Sequence, residues 1–179
     1  MAEHEPELRA GTAELPSAAD TIALGAQLGA DLRAGDVVVL SGPLGAGKTV
    51  LAKGIAQAMQ VDGPVTSPTY VLARVHPALR SNAPAMIHVD VYRLLDHAAA
   101  DLLGELDSLD LDTDLDDAVV VVEWGEGLAE RLSERHLHVR LERARDTEVR
   151  TAVWQWSSGA SEATGEVSGA SEATGRAKP

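Results

Sequence analysis

Cysteine is absent from the 179 residues of this chain. Its absence removes a disulfide framework, a thiolate zinc site and a Cys nucleophile, and makes an intracellular, redox-indifferent protein the simplest expectation. Long apolar runs are missing too. Stretches such as Val37 to Leu40 and Ala118 to Val122 fall far short of the ~20 residues that a membrane-spanning helix requires. The opening Met1-Ala-Glu-His-Glu-Pro-Glu7 is acidic and carries no apolar stretch, so neither a secretory signal nor a basic transit peptide is expected. A soluble, cytoplasmic protein follows, long enough for one domain with its own core.

Positive charge is also scarce. Fifteen Lys and Arg face 28 Asp and Glu, a net charge of −13, and the deficit is uneven. Residues 96–117 hold nine acidic residues and no basic one, the first 20 residues are acidic, and residues 21–95 are mildly basic. The best field for a phosphate-bearing ligand therefore lies in that middle segment. No basic stripe suits the chain to gripping nucleic acid by itself, because phosphate neutralisation needs clustered Lys and Arg. The acidic block, with Asp107, Asp110, Asp112 and Asp114, is expected to be a solvated face or a docking face for a basic protein partner.

What is present alternates between strand and helix patterns. Ser17 followed by Asp20 has the form of a capped helix start, and Leu24, Leu28 and Leu32 repeat along one face up to Gly35; helix is predicted over Ala18–Ala34. Val37-Val-Val-Leu40 and Val119-Val-Val-Val122 are short continuous apolar runs, as in strands buried on both faces. A second helix is predicted over Lys48–Gln60. Tyr70–Val75 and Ala85–Val89 read as a strand pair, and Leu102, Leu103 and Leu106 mark a helical stretch within the acidic block. Leu137, Val139 and Leu141, then Val149 and Val153, suggest a hairpin at a sheet edge, with Trp154 and Trp156 packing on it. The expected class is α/β with a mixed, largely parallel central sheet flanked by helices. Residues 1–16 are read as an irregular acidic leader and 17–157 as the domain. Ser158-Gly-Ala-Ser-Glu-Ala-Thr-Gly165 recurs as Ser168–Gly175, and this small polar tail, 158–179, is expected to be disordered.

The strongest chemical signal is Gly42-Pro-Leu-Gly-Ala-Gly47-Lys48-Thr49, a complete Walker A pattern between a predicted strand and a predicted helix. Gly45 and Gly47 permit a path on which successive N–H groups turn toward an oxyanion at a helix N-terminus. Lys48 would reach the terminal phosphates and the Thr49 hydroxyl would bind Mg²⁺. Such a site also needs carboxylates at neighbouring strand ends. Asp90 closes Met86-Ile-His-Val-Asp90 and Glu123 closes Val119-Val-Val-Val-Glu123. Asp90 is assigned to the metal through a bound water and Glu123 to the metal's surroundings or to activation of the attacking water, the division of roles being open. The hydroxyls of Thr66-Ser67-Pro68-Thr69 fit either a phosphate-sensing switch or a turn with local hydrogen bonds. His136 and His138 share a strand face but lack a third ligand. No Asn-Lys-x-Asp guanine-reading element occurs, which favours ATP over GTP.

Taken with Thr66-Ser-Pro-Thr-Tyr70, His88-Val-Asp-Val-Tyr-Arg93 and Glu123-Trp124, the phosphate loop makes residues 17–156 resemble the TsaE family. Those are the small ATPases of bacterial tRNA threonylcarbamoyladenosine biosynthesis. The resemblance implies binding of ATP and Mg²⁺ by Gly42 and by Leu44, Gly45, Ala46, Gly47, Lys48, Thr49 and Val50. It implies metal-related roles for Thr49, Asp90 and Glu123, a catalytic role for Lys48 beside those carboxylates, and a switch role for Thr66, Ser67 and Thr69. Thr21 would lie near the base, and Arg145 would match a nucleotide-contacting arginine, with Arg150 as its rival. Departures are Ala144 where the family has Gly, and Gly125 where Pro commonly follows the Trp. The implied partners are TsaD and TsaB, with tRNA reached only through the complex, and ATP hydrolysis would support turnover of that complex. A small-molecule kinase and a nucleotide-gated binding module are the competing readings of the same loop.

Overall fold

The computed structural model describes residues 9–66, 73–91, 117–127, 133, 135–144 and 147–157. One seven-stranded sheet carries the site. Its strands are β1 (Ala10–Leu15), β2 (Val37–Ser41), β3 (Ala73–His76), β4 (Ala85–Asp90), β5 (Ala118–Glu123), β6 (His136–Arg143) and β7 (Arg150–Ser157), in the order β1-β7-β6-β2-β5-β4-β3. The four middle strands, β6, β2, β5 and β4, run parallel to one another, whereas β3, β7 and β1 pair antiparallel with their neighbours. The expected class, α/β with a largely parallel centre, is the class observed.

Helices α1 (Ala18–Gly29) and α2 (Lys48–Met59) pack on one face of the sheet. Leu51 and Ile55 of α2 are fully buried against Leu24 and Leu28 of α1 and against Val38, Leu40, Val119 and Val121 of the sheet. Each such side chain contributes about 1.5–3 kcal/mol by leaving water. The opposite face carries a second apolar cluster of Val37, Val39, Ile87, Val89, Val120 and Val122. Two-sided burial explains why β2 and β5 are unbroken apolar runs. Among the described residues no helix is long and apolar enough to cross a membrane.

Several expectations are corrected. The first helix stops at Gly29 rather than Ala34. Downstream donors are engaged elsewhere: Arg33 N–H with the Asp36 carboxylate at 2.8 Å and Gly35 N–H with the Ala118 carbonyl at 2.9 Å. Its start is as read, with Ser17 and Asp20 forming a reciprocal capping box. The second helix ends one residue early, at Met59, with Gln60 as a left-handed cap. Ala10–Leu15, expected to be irregular, is the edge strand β1 and pairs with β7 from Ala10↔Gln155 to Leu15↔Arg150. The β6–β7 hairpin is therefore inside the sheet, and its inward set on β7 is Arg150, Ala152 and Trp154 while Val153 is exposed. The start of the Tyr70 strand, the helix around Leu102, Leu103 and Leu106, most of the acidic block and the repeated tail lie outside the described residues.

Candidate functional site

The phosphate loop links β2 to α2 at the carboxyl end of the parallel strands. Gly42, Gly45 and Gly47 have φ of 129°, 79° and 105°, in the left-handed region that favours glycine. At Gly42 a Cβ would also collide with the Leu141 carbonyl oxygen of β6. Gly47 is the N-cap of α2 and no side chain caps that end. The first N–H groups of α2 consequently face the loop without a side-chain partner, the arrangement that receives an anion at a helix N-terminus. Ala46 is buried in the core, Leu44 stands exposed at the loop tip, and Val50 is half-buried in the first turn of α2.

Lys48 leads the helix and is only 4% exposed. Its Nζ donates to the carbonyl oxygens of Gly42 at 2.7 Å and Pro43 at 3.1 Å, and lies 3.6 Å from the centre of the Trp124 ring. Burial draws the ammonium below the ordinary lysine pKa, against the upward pull of Glu123, Asp90 and Glu126. The cation is thus held at the loop by weak neutral partners, which a phosphate would outbid electrostatically.

Thr49 Oγ1 donates to Glu123 Oε1 at 2.8 Å. Parallel pairing produces this contact, since β2 and β5 align Leu40 with Glu123, and β5 and β4 align Glu123 with Asp90. Trp124 N–H bonds the Leu40 carbonyl, and Val91 N–H the Glu123 carbonyl, so the ladder continues to the edge of the loop. Glu123 Oε1 also lies 2.9 Å from Nε2 of His88, which is fully buried two residues before Asp90 on the same face of β4. Motif reading did not assign His88 a role; the signal available was its i, i+2 spacing from Asp90 on a strand beside Glu123.

These groups suit Mg²⁺. A hydroxyl that gives its hydrogen to a carboxylate keeps its lone pairs for a hard cation, and two carboxylates with one hydroxyl match an ion that retains waters and takes phosphate oxygens. No cluster of three or more His, Asp and Glu able to hold a metal occurs among the described residues. His136 and His138 accordingly have ordinary partners: Nδ1 of His136 is 3.4 Å from the Ser133 carbonyl, and Nε2 of His138 is 3.0 Å from Ser41 Oγ.

The remaining sequence candidates are sorted by position. Thr21 is buried beside Gly47, but its hydroxyl donates to the Ser17 carbonyl one turn back, so its methyl group, not its hydroxyl, faces the loop. Arg145 lies outside the described residues, as do Ser67 and Thr69. Arg150 comes to the loop from β7: its Nε is 3.1 Å from where a Cβ on Gly47 would stand, and that Nε is buried without a partner. Thr66 is exposed, with its hydroxyl 3.5 Å from Arg74 Nη1.

A family model described as "Threonylcarbamoyl adenosine biosynthesis protein TsaE" matches residues 15–152. The tRNA threonylcarbamoyladenosine biosynthesis protein TsaE of Mycobacterium tuberculosis is 73% identical over 146 residues, covering 82% of this chain and 87% of the relative. That of Mycobacterium leprae is 71% identical over 156 residues, covering 87% and 96%. That of Streptomyces coelicolor is 53% identical over 121 residues, covering 68% and 78%. The crystal structure of Bacillus subtilis YdiB superposes with a TM-score of 0.61 at 24% identity, covering 84% of this chain and 86% of that one, and so shares the fold. With the family model spanning β2 to β6, both helices and the phosphate loop, this chain belongs to the TsaE family of threonylcarbamoyl adenosine biosynthesis proteins.

Proposed function

We propose that this protein is a Mg²⁺-dependent ATPase that works in the cytoplasm with TsaB and TsaD in threonylcarbamoyladenosine modification of tRNA, its hydrolysis supporting turnover rather than the group transfer. The observation that carries the reading is the 2.8 Å hydrogen bond from Thr49 to Glu123, which joins the phosphate loop to a strand-end carboxylate. The N–H groups from Gly45 to Thr49 and the Lys48 ammonium bind the phosphates. Thr49, Glu123 and Asp90 would hold Mg²⁺, directly or through water, and bound there it would supply neutralisation of charge on the phosphate oxygens. In hydrolysis a water oxygen bonds to the γ-phosphorus, and the bond from that phosphorus to the β–γ bridging oxygen breaks. The water proton leaves toward the carboxylate pair of Asp90 and Glu123, and the products are ADP and inorganic phosphate. Thr21 and Arg150, beside Gly47, serve the rest of the nucleotide. Thr66, Ser67 and Thr69 would sense the γ-phosphate, and tRNA is reached only through the partners.

The test is reconstitution. Wild-type protein, mixed with TsaB, TsaD and tRNA, is expected to hydrolyse ATP and sustain many rounds of modification, and Lys48→Ala to abolish both. Undiminished modification with Lys48→Ala, or no association with the partners, would overturn the reading.

A further inference from the structure

We propose that His88 is a positioning residue: donating from Nε2, it fixes the rotation of the Glu123 carboxylate that Thr49 and the metal depend on. His88 lies in the middle of β4 with no solvent exposure. Its Nε2 is 2.9 Å from Glu123 Oε1, the same oxygen that accepts from Thr49 Oγ1 at 2.8 Å. An ionised carboxylate only accepts, so both contacts need their hydrogen on the other partner, which puts a hydrogen on the Thr49 hydroxyl and on His88 Nε2. Nδ1 of His88 is buried and has no hydrogen-bond partner.

Two donors from different elements, α2 and β4, converge on one oxygen and prevent the carboxylate from turning. If His88 let go, Glu123 would be held by Thr49 alone, and the hydroxyl that presents its lone pairs to the cation would lose its fixed acceptor. This places His88 behind the metal-side carboxylate, as outer partners of metal ligands commonly stand. A space-filling role would be met equally by an apolar side chain of similar size. The role proposed requires a donor at the position of Nε2.

The inference rests on the Mg²⁺-ATP reading for what Glu123 serves, but the hydrogen bond does not. In the full-length protein, a long-range ¹H–¹⁵N spectrum is expected to show a hydrogen on His88 Nε2. His88→Leu is expected to lower kcat for Mg²⁺-ATP by about 10- to 100-fold while leaving Mg²⁺-free ADP affinity within about twofold. His88→Gln, which restores an N–H at comparable reach, is expected to recover most of that loss. A ring with no hydrogen at Nε2, an unchanged kcat in folded His88→Leu, or a Gln variant no better than Leu would overturn the proposal. Where His88→Leu fails to fold, the ring spectrum and the Gln variant decide. A wild-type protein that neither binds nor hydrolyses ATP would refute the proposed function, and the spectrum would still decide the role of His88.

Discussion

The Lys48 ammonium lies 3.6 Å from the centre of the Trp124 ring while donating to the carbonyl oxygens of Gly42 and Pro43. A cation over an aromatic face is worth about 0.5–2 kcal/mol, and the two carbonyl bonds are neutral on one side. A polyphosphate offers anionic oxygens, which attract the ammonium more strongly than neutral carbonyls do. Trp124 holds this position with φ of 66°, a conformation that a bulky residue adopts only when its surroundings impose it.

Nucleotide binding is therefore expected to draw Lys48 off the ring and change the fluorescence of Trp124. The change should saturate with the calorimetric binding curve and vanish in Trp124→Phe, which keeps Trp154 and Trp156 as silent emitters. Saturated binding without a spectral change would show that Lys48 stays where it is.

The parts of the site legible in the sequence were those set by short, local spacing. The glycines, Lys48 and Thr49 are consecutive, and Asp90 and Glu123 each end an apolar run. The structure adds what depends on register: that Asp90 faces Glu123, that His88 lies behind it, and that Arg150 arrives from a strand 100 residues after Val50. The fold follows the same division. Runs buried on both faces declare themselves, whereas β1, Ala-Gly-Thr-Ala-Glu-Leu, has weak strand propensity and exists through its pairing with β7. Its Gly11 leaves room for the Trp154 ring, a requirement that only the tertiary structure reveals.

The two helices over the site meet through glycine. A Cβ on Gly54 of α2 would strike the Ile22 carbonyl oxygen and stand 2.9 Å from Gly25 Cα of α1. Both neighbours are backbone and cannot rotate away. Alanine gains about 1 kcal/mol of helix propensity over glycine, but forced overpacking costs about 1–3 kcal/mol, and rigid neighbours put this site at the upper end. Gly54→Ala is expected to lower unfolding free energy in urea by about 1–2 kcal/mol, whereas Lys53→Ala on the exposed face should change it by less than about 0.5 kcal/mol. A Gly54→Ala protein as stable as wild type would mean that α1 and α2 can separate freely.

His76 gives stability a pH dependence. It is 2% exposed, with Nδ1 3.1 Å from the Asp62 carbonyl and Nε2 buried without a partner. Burial pushes its pKa below the ordinary 6.5; the Asp62 bond opposes that shift, and the nearby Arg74 charge adds to it. The unfolded chain thus takes up a proton at a higher pH than the folded one. Stability from this group is full above 6.5 and is lost as pH falls through the window between that value and the lower folded one. Urea midpoints are expected to fall with acidification across this window, and to fall less steeply in His76→Gln. Equal slopes would assign the acid sensitivity to other groups.

Arg150 separates stability from binding. Its Nη1 donates to the Glu148 carbonyl at 2.7 Å and its Nη2 lies 3.6 Å from the Glu148 carboxylate, yet Nε against Gly47 has no partner. A buried unpaired donor costs about 1–3 kcal/mol. Removing it should therefore leave the free protein no less stable, provided that the volume is kept. A nucleotide on the loop would supply the missing acceptor, and a hydrogen bond to a charged group contributes about 1.5–3 kcal/mol. Arg150→Met is expected to melt at or above the wild-type temperature and to bind ADP at least about tenfold more weakly, tenfold being about 1.4 kcal/mol. Calorimetric titration with ADP, beside thermal melts of both proteins, measures the two effects separately. An unchanged affinity would make Arg150 a structural cation for the Glu148 turn, and a large fall in melting temperature would show that Nε has a protein partner in solution.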